Sequence, residues 1–195
     1  MTQLAILASG GGSNADAILR YFAGHPSIRI VLMACNKKEA GAYQVAENHN
    51  VESIYLSRQR FFEGDGYLPE FRERGVDGLI LAGFLWKVPD TLIKAYPNRI
   101  LNIHPALLPK FGGQGMYGMH VHRAVLTAGE SKSGITIHRV DEQYDHGDHV
   151  FQATCPVEAT DTPETLGKRV LALEHQYYPP VIEKYFNEHN DSIDS

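Results

Sequence analysis

The 195-residue sequence predicts an α/β fold, and three observations carry that prediction. Short apolar runs alternate from the N-terminus with segments of helical period, the pattern of a parallel sheet covered on both faces. The first run, Leu4 to Ala8, passes almost directly into glycines, as a strand entering a phosphate-type turn does. The last third changes texture, with two runs that alternate apolar and polar residues and then one long segment of helical spacing. The expected architecture is a Rossmann-like, mostly parallel sheet with helices on both faces, extended by C-terminal antiparallel strands and a long C-terminal helix.

Strands are expected at Leu4 to Ala8, Ile28 to Cys35, Ser53 to Leu56, Gly78 to Ala82 and Arg99 to Ile103, each brief and bounded by Gly, Asn, Asp or Pro. Helices are expected at Asn14 to Phe22, Ala42 to Asn48, Pro69 to Arg74 and Pro89 to Ala95, two of them opening on proline, which the first helical turn tolerates. The stretch Gly112 to Gly118 is too rich in glycine for an element interior and reads as a mobile surface loop. Gly134 to Val140 and His149 to Val157 read as the antiparallel strands, joined by a polar loop over Asp141 to Asp148. The closing helix, Pro163 to Phe186, has Thr162 as its cap, Glu164 in its first turn, and an interruption at Pro179-Pro180 that predicts a kink or two segments. The chain turns polar from Asn187, so residues 1–188 are taken as a single domain with 189–195 a frayed tail.

Composition narrows the function. A hydrophobic fraction of 43% with 10% aromatics is ordinary for a globular core, which excludes disordered and fibrous classes. A net charge of −5 gives no electrostatic footprint for sequence-independent nucleic-acid binding, so any anionic ligand must be held locally. Cys35 and Cys155 lie far apart with no CxxC spacing and are expected to pack, reduced, in strands. No apolar run approaches the roughly 20 residues of a membrane span, and the N-terminus has no basic leader, so a cytoplasmic protein is expected.

Three constellations can carry chemistry. Ser9-Gly10-Gly11-Gly12-Ser13-Asn14 stands where a parallel strand ends and a helix begins, where glycines admit an oxyanion to free N–H groups at the positive end of a helix. A phosphate site, a dinucleotide site of the loose G-x-G-x-x-A form and a purely structural turn all fit it. The second expected strand ends in Cys35-Asn36-Lys37-Lys38 without an acid for a ribose 2′-hydroxyl, which argues against NAD and leaves NADP open. Asn102 and His104 share one face at the end of the fifth strand, where an amide and an imidazole can steady an oxyanion or can simply cap the strand. Asp145-His146-Gly147-Asp148-His149, with His120, His122 and His138 near in sequence, is open to a metal site, a solvated acidic loop or an aspartate that orients His104. Trp86 either packs in the core or lines a pocket for a flat heterocycle, and Glu174 without further context reads as part of an exposed helical face.

Taken in chain order, Ser9 to Asn14, Leu81-Ala82-Gly83-Phe84, Asn102-Ile103-His104-Pro105-Ala106-Leu107-Leu108-Pro109 and Glu174-His175 resemble the phosphoribosylglycinamide formyltransferases, of the folate-dependent formyltransferase family, over nearly the whole chain. The resemblance implies formyl transfer from 10-formyltetrahydrofolate to the amine of glycinamide ribonucleotide in purine synthesis, without a metal. It implies that Gly12, Ser13 and Asn14 hold the phosphate and Glu174 the ribose. Asn102 and His104 would steady the tetrahedral oxyanion, with Asp145 keeping His104 protonated and passing on the amine's proton. His138 would sit close by. The pterin would lie against Leu85, Trp86, Lys87 and Val88 and against Val140, Asp141 and Asp145 in the second loop, largely through backbone groups. The N-terminal half, to about residue 100, would then bind phosphate and residues 101–188 the folate. Its partners would be the two small molecules alone, with no nucleic acid or membrane, in a monomer or homodimer.

Two departures stand out against the resemblance. Trp86 replaces the arginine common in bacterial members, and residues 111–119 replace a short Pro-Gly turn with an extended glycine-rich loop. Lys37, Arg58 and Arg60 are further phosphate contacts to consider. The same trio and fold serve methionyl-tRNA formyltransferase and formyltetrahydrofolate hydrolase; the former's basic C-terminal domain and the latter's N-terminal regulatory domain are not expected here. A non-catalytic NADP-binding protein is the reading from another class.

Overall fold

The computed structural model describes residues 1–189. Its elements run β1 (Thr2–Ala8), α1 (Ser13–Tyr21), β2 (Ile28–Cys35), α2 (Ala42–Asn48), β3 (Glu52–Tyr55), α3 (Arg58–Phe62), α4 (Leu68–Glu73), β4 (Gly78–Leu81), α5 (Asp90–Ala95), β5 (Ile100–His104), α6 (Met119–Thr127), β6 (Lys132–Arg139), β7 (His149–Pro156) and α7 (Pro163–Glu188). The strands form one seven-stranded sheet in the order β3-β2-β1-β4-β5-β6-β7. Strands β1 to β5 are parallel, and β6 and β7 add on antiparallel. The strand order reverses between β1 and β4, which opens a crevice at the carboxyl ends of the strands, the place where ligands collect in such sheets.

The run from Leu4 to Ala8 is buried throughout because both faces of the sheet are covered. Leu4, Ile6 and Ala8 face a core completed by α1, α2, α6 and α7, while Ala5 and Leu7 face a second core under α3, α4 and α5. Cys35 and Cys155 are free thiols buried in β2 and β7, as their spacing led us to expect, and burial pushes the Cys35 thiol up to about 11.

Three expectations are corrected. The closing helix is one element from Pro163 to Glu188 rather than two segments, with Pro179 and Pro180 inside it. Each proline deletes a ladder hydrogen bond, but the stretch is packed on the sheet: Tyr178 is fully buried, Pro179 is buried, and the Tyr178 hydroxyl reaches the carbonyls of Leu81 and Leu101, each at 3.0 Å. The helix also takes in Asn187 and Glu188; of the expected tail, 190–195 lie outside the described residues. Finally, α3 and α6 were not foreseen. α6 begins right after the glycine run, which hides its start, although Val121, His122 and Val125 form a buried helical face.

Candidate active site

A cleft of about 1020 Å³ runs along the carboxyl ends of β1, β4 and β5 and under α7. At one end lies the β1–α1 loop. Gly12 sits at the N-cap of α1 with φ +82, and a Cβ there would come within 2.9 Å of the Ala42 Cα, so both conformation and space demand glycine. The loop is tied to α2 by the Ala42 N–H, which donates to the Gly10 carbonyl at 3.2 Å. No side chain caps α1, so the first-turn N–H groups are left to a ligand or solvent. Gly10, Ser13 and Asn14 line the cleft, whereas Gly12 stands behind them against α2.

Glu174 faces this loop. It is 7% exposed, and its carboxylate accepts from the Asn14 side-chain amide at 2.6 Å. The exposed-face reading of Glu174 is therefore corrected. Leu166, Val170, Glu174, Tyr178 and Ile182 recur every four residues and are all buried, so the carboxylate lies in an apolar stripe that the sequence already displayed. Burial pushes the Glu174 carboxyl up, and its single amide donor only partly offsets that. The Asn14 Oδ1 is buried without a partner.

At the other end, β5 brings Asn102 and His104 to one face, and the antiparallel pairing sets Asn102 opposite His138. The Asn102 amide donates to His138 Nε2 at 3.0 Å and to Asp145 Oδ1 at 3.4 Å. His138 Nδ1 lies 2.8 Å from the Arg139 carbonyl, which can only accept, so the His138 proton sits on Nδ1 and Nε2 receives Asn102. His104 Nε2 donates to the Phe111 carbonyl at 2.8 Å, and its Nδ1 faces Asp145 Oδ2 at 3.5 Å, an electrostatic contact longer than a good hydrogen bond. Asp145, with φ +52, also accepts from the Gly113 N–H at 2.9 Å.

The trio thus converges, with one correction to its charge. Burial lowers the His104 pKa and outweighs Asp145 and the Phe111 carbonyl, which raise it, so the imidazole is not held protonated. Burial raises the Asp145 carboxyl, but His138, the positive charge His104 would carry and the Gly113 N–H together bring it below the ordinary carboxylate range. The turn after His104 is held by Thr136, whose hydroxyl donates to the Ala106 carbonyl at 2.7 Å and accepts from the Leu108 N–H at 3.0 Å and the Gln152 amide at 2.8 Å. Gln152 was missed; only the cross-strand register pairs it with Thr136.

Between the two ends, Leu85, Trp86, Lys87, Val88, Val140 and Asp141 all line the cleft. Trp86 does both things considered for it, packing against Phe61 at 5.5 Å and Phe62 at 5.7 Å while facing the cleft beneath the Arg58 guanidinium at 5.8 Å. The N–H groups of Leu85 and Val140 are already given to Ser9 Oγ and the Ile100 carbonyl, which leaves backbone recognition at these two residues to their carbonyls. Lys37 and Arg58 line the cleft, but Arg60 does not: it pairs with Glu70 and stacks over Tyr67 at 4.4 Å. His146 leaves the site to bond Asp141 at 2.9 Å, and His120 packs against Tyr117. Among the described residues no group of three or more His, Cys, Asp or Glu side chains could hold a metal ion. The segment 111–113 closes over His104 and Asp145, so this part of the expected mobile loop is docked.

The sequence profile of formyl transferases matches residues 2–182. The chain belongs to the formyl transferase family. The chain is 44% identical to the chloroplastic phosphoribosylglycinamide formyltransferase of Arabidopsis thaliana over 92% of its length, and it spans 64% of that relative's length. It is 34% identical to the phosphoribosylglycinamide formyltransferase of Bacillus subtilis, with 97% of each chain covered. Its fold superposes on the crystal structure of the Brucella melitensis phosphoribosylglycinamide formyltransferase with a TM-score of 0.84 at 36% identity, covering 94% of this chain and 95% of that one. For the Bacillus halodurans structure of the same name the TM-score is 0.85 at 33% identity, with 94% of each chain covered.

Proposed function

We propose that the protein transfers the formyl group of 10-formyltetrahydrofolate to the primary amine of glycinamide ribonucleotide, releasing formylglycinamide ribonucleotide and tetrahydrofolate for purine synthesis. The observation that carries this reading is one cleft with an anion-type loop and a buried carboxylate at one end and an amide–imidazole–carboxylate group at the other. The N-terminal half, to about residue 100, would serve the ribonucleotide phosphate at Gly12, Ser13 and Asn14, with Glu174 from α7 reaching the ribose. Residues 101–188 would serve the transfer. The pterin would lie on Leu85 to Val88 and along the Val140 to Asp145 loop.

The amine nitrogen attacks the formyl carbon, and the carbonyl electron pair moves onto oxygen. Asn102 and His104 offer N–H groups to that oxyanion, Asn102 by giving up its 3.4 Å contact with Asp145 and His104 by giving up the Phe111 carbonyl, and Asp145, held ionised, takes the amine's proton through a water. Collapse reforms the carbonyl and breaks the bond to folate N10, which takes up a proton. A neutral His104 with its proton on Nε2 serves as the hydrogen-bond donor this requires.

The test is tetrahydrofolate formation followed by absorbance with and without glycinamide ribonucleotide. Turnover that requires the ribonucleotide supports the transferase. Equal deformylation without it makes water the acceptor, and no turnover in either case removes the formyl chemistry.

A further inference from the structure

We propose that the backbone segment Phe111–Gly113 is a positioning element for the transfer group, holding the His104 proton on Nε2 and Asp145 in place, and that Gly112 is the residue whose missing side chain permits this. The inference rests on the reading of His104 and Asp145 given above. Two contacts in opposite senses come from three consecutive residues: the Phe111 carbonyl accepts from His104 Nε2 at 2.8 Å, and the Gly113 N–H donates to Asp145 Oδ2 at 2.9 Å. A carbonyl can only accept, so it selects the tautomer with hydrogen on Nε2, the hydrogen that a formyl oxygen would take over on binding.

The segment is bent to do this. Phe111 at φ +58 and Gly113 at φ +97 are both left-handed, and Phe111 holds that unusual backbone while its ring packs on the core. Gly112 between them has no room for more than hydrogen. A Cβ there would come within 2.5 Å of Leu108 Cδ2 and 3.2 Å of Asp145 Cβ. Leu108 is buried, so its Cδ2 has little free space to swing into, and its backbone is held by Thr136 and Gln152. A side chain at 112 would therefore push on Asp145 and lift the Phe111 carbonyl from His104. Glycine farther along the loop serves no such need, since a Cβ at Gly115 would meet nothing within 4 Å.

The experiment is Gly112→Ala, read by long-range proton–nitrogen NMR of the histidine rings together with steady-state kinetics. In wild type His104 is expected in the Nε2–H form. In Gly112→Ala that signature is lost, kcat falls about tenfold or more, the KM for ribonucleotide stays within about twofold, and adding Leu108→Val restores part of both. Gly129→Ala, at φ +66 with open space around it, carries a left-handed penalty that Gly112→Ala does not, and leaves signature and kcat at wild-type values. If Gly112→Ala does not fold, Gly113→Ala is read in the same way. A folded variant with the wild-type His104 signature and kcat overturns the proposal. Loss of the signature in a protein whose wild type transfers no formyl group supports the positioning and overturns the activity instead.

Discussion

Asp145 and Glu174 stand at opposite ends of one cleft, both largely out of water, and their carboxyls shift in opposite directions. Glu174 has one amide donor in an apolar helix stripe, and its pKa rises. Asp145 has a backbone N–H, the Asn102 amide and two imidazoles around it, and its pKa falls. Burial is common to both, so the hydrogen bonds and charges around each carboxyl decide the direction of its shift. On the proposed reading, the carboxylate that would receive a proton during turnover is kept ionised, while the one that would only accept hydrogen bonds from a sugar can tolerate the cost of an apolar setting.

The comparison breaks hardest at Asp145. Asp145→Asn, and separately His104→Ala, should lower kcat by roughly 10²–10⁴-fold, the usual weight of a proton-transfer or oxyanion group, with ribonucleotide affinity little changed in calorimetry. Retained turnover in both variants would dissolve the difference between the two ends. At the acceptor end, Ser13→Ala and Asn14→Ala should raise the KM for ribonucleotide by about tenfold and spare that for folate, as expected for losing one hydrogen bond to a charged group. An unchanged KM would move the phosphate off this loop.

The pH dependence sharpens the comparison further. With the His104 pKa lowered, the ring's own NMR titration in the free enzyme should have its midpoint below the ordinary 6.5, where protonation removes the neutral form. A midpoint above the ordinary 6.5 would mean that Asp145 outweighs burial after all.

Smallest in size is the stability effect, where the two carboxylates should differ in sign. The raised Glu174 pKa makes its contribution complete below its ordinary 4.5 and lost as pH rises through the raised value, so Glu174→Gln should raise the Tm at pH 8 by roughly 2–4 °C. The lowered Asp145 pKa gives a contribution present above its ordinary 3.8 and lost as pH falls through the lowered value, so Asp145→Asn should lower the Tm at pH 8. Melting curves of both variants at pH 8 check the pair.

Much of this was legible in the residues themselves. The parallel strands and the Ser9 to Asn14 turn are local signals, readable because apolar runs and glycines act where they stand. Asn102 and His104 were readable through strand alternation alone. The charge of His104 was not, because it depends on how deeply the imidazole is buried, and no spacing records that. The loop contacts at Phe111 and Gly113 are made by backbone atoms, which leave no trace in residue type beyond the glycines around them. Glu174 is a different kind of miss: its four-residue stripe was present in the sequence, and a carboxylate within an apolar stripe is itself a signal.

The hydrogen bond between Asn14 and Glu174 joins the first helix of the chain to the last, 160 residues apart. All seven strands, with Asn102, His104 and Asp145, precede that helix in the chain, yet one of the two cores lacks its cover until Leu166, Val170, Tyr178 and Ile182 are in place. The segment that walls one end of the cleft is thus the segment that seals the fold, so a chain cut before Thr162 would lose its packing and that wall together.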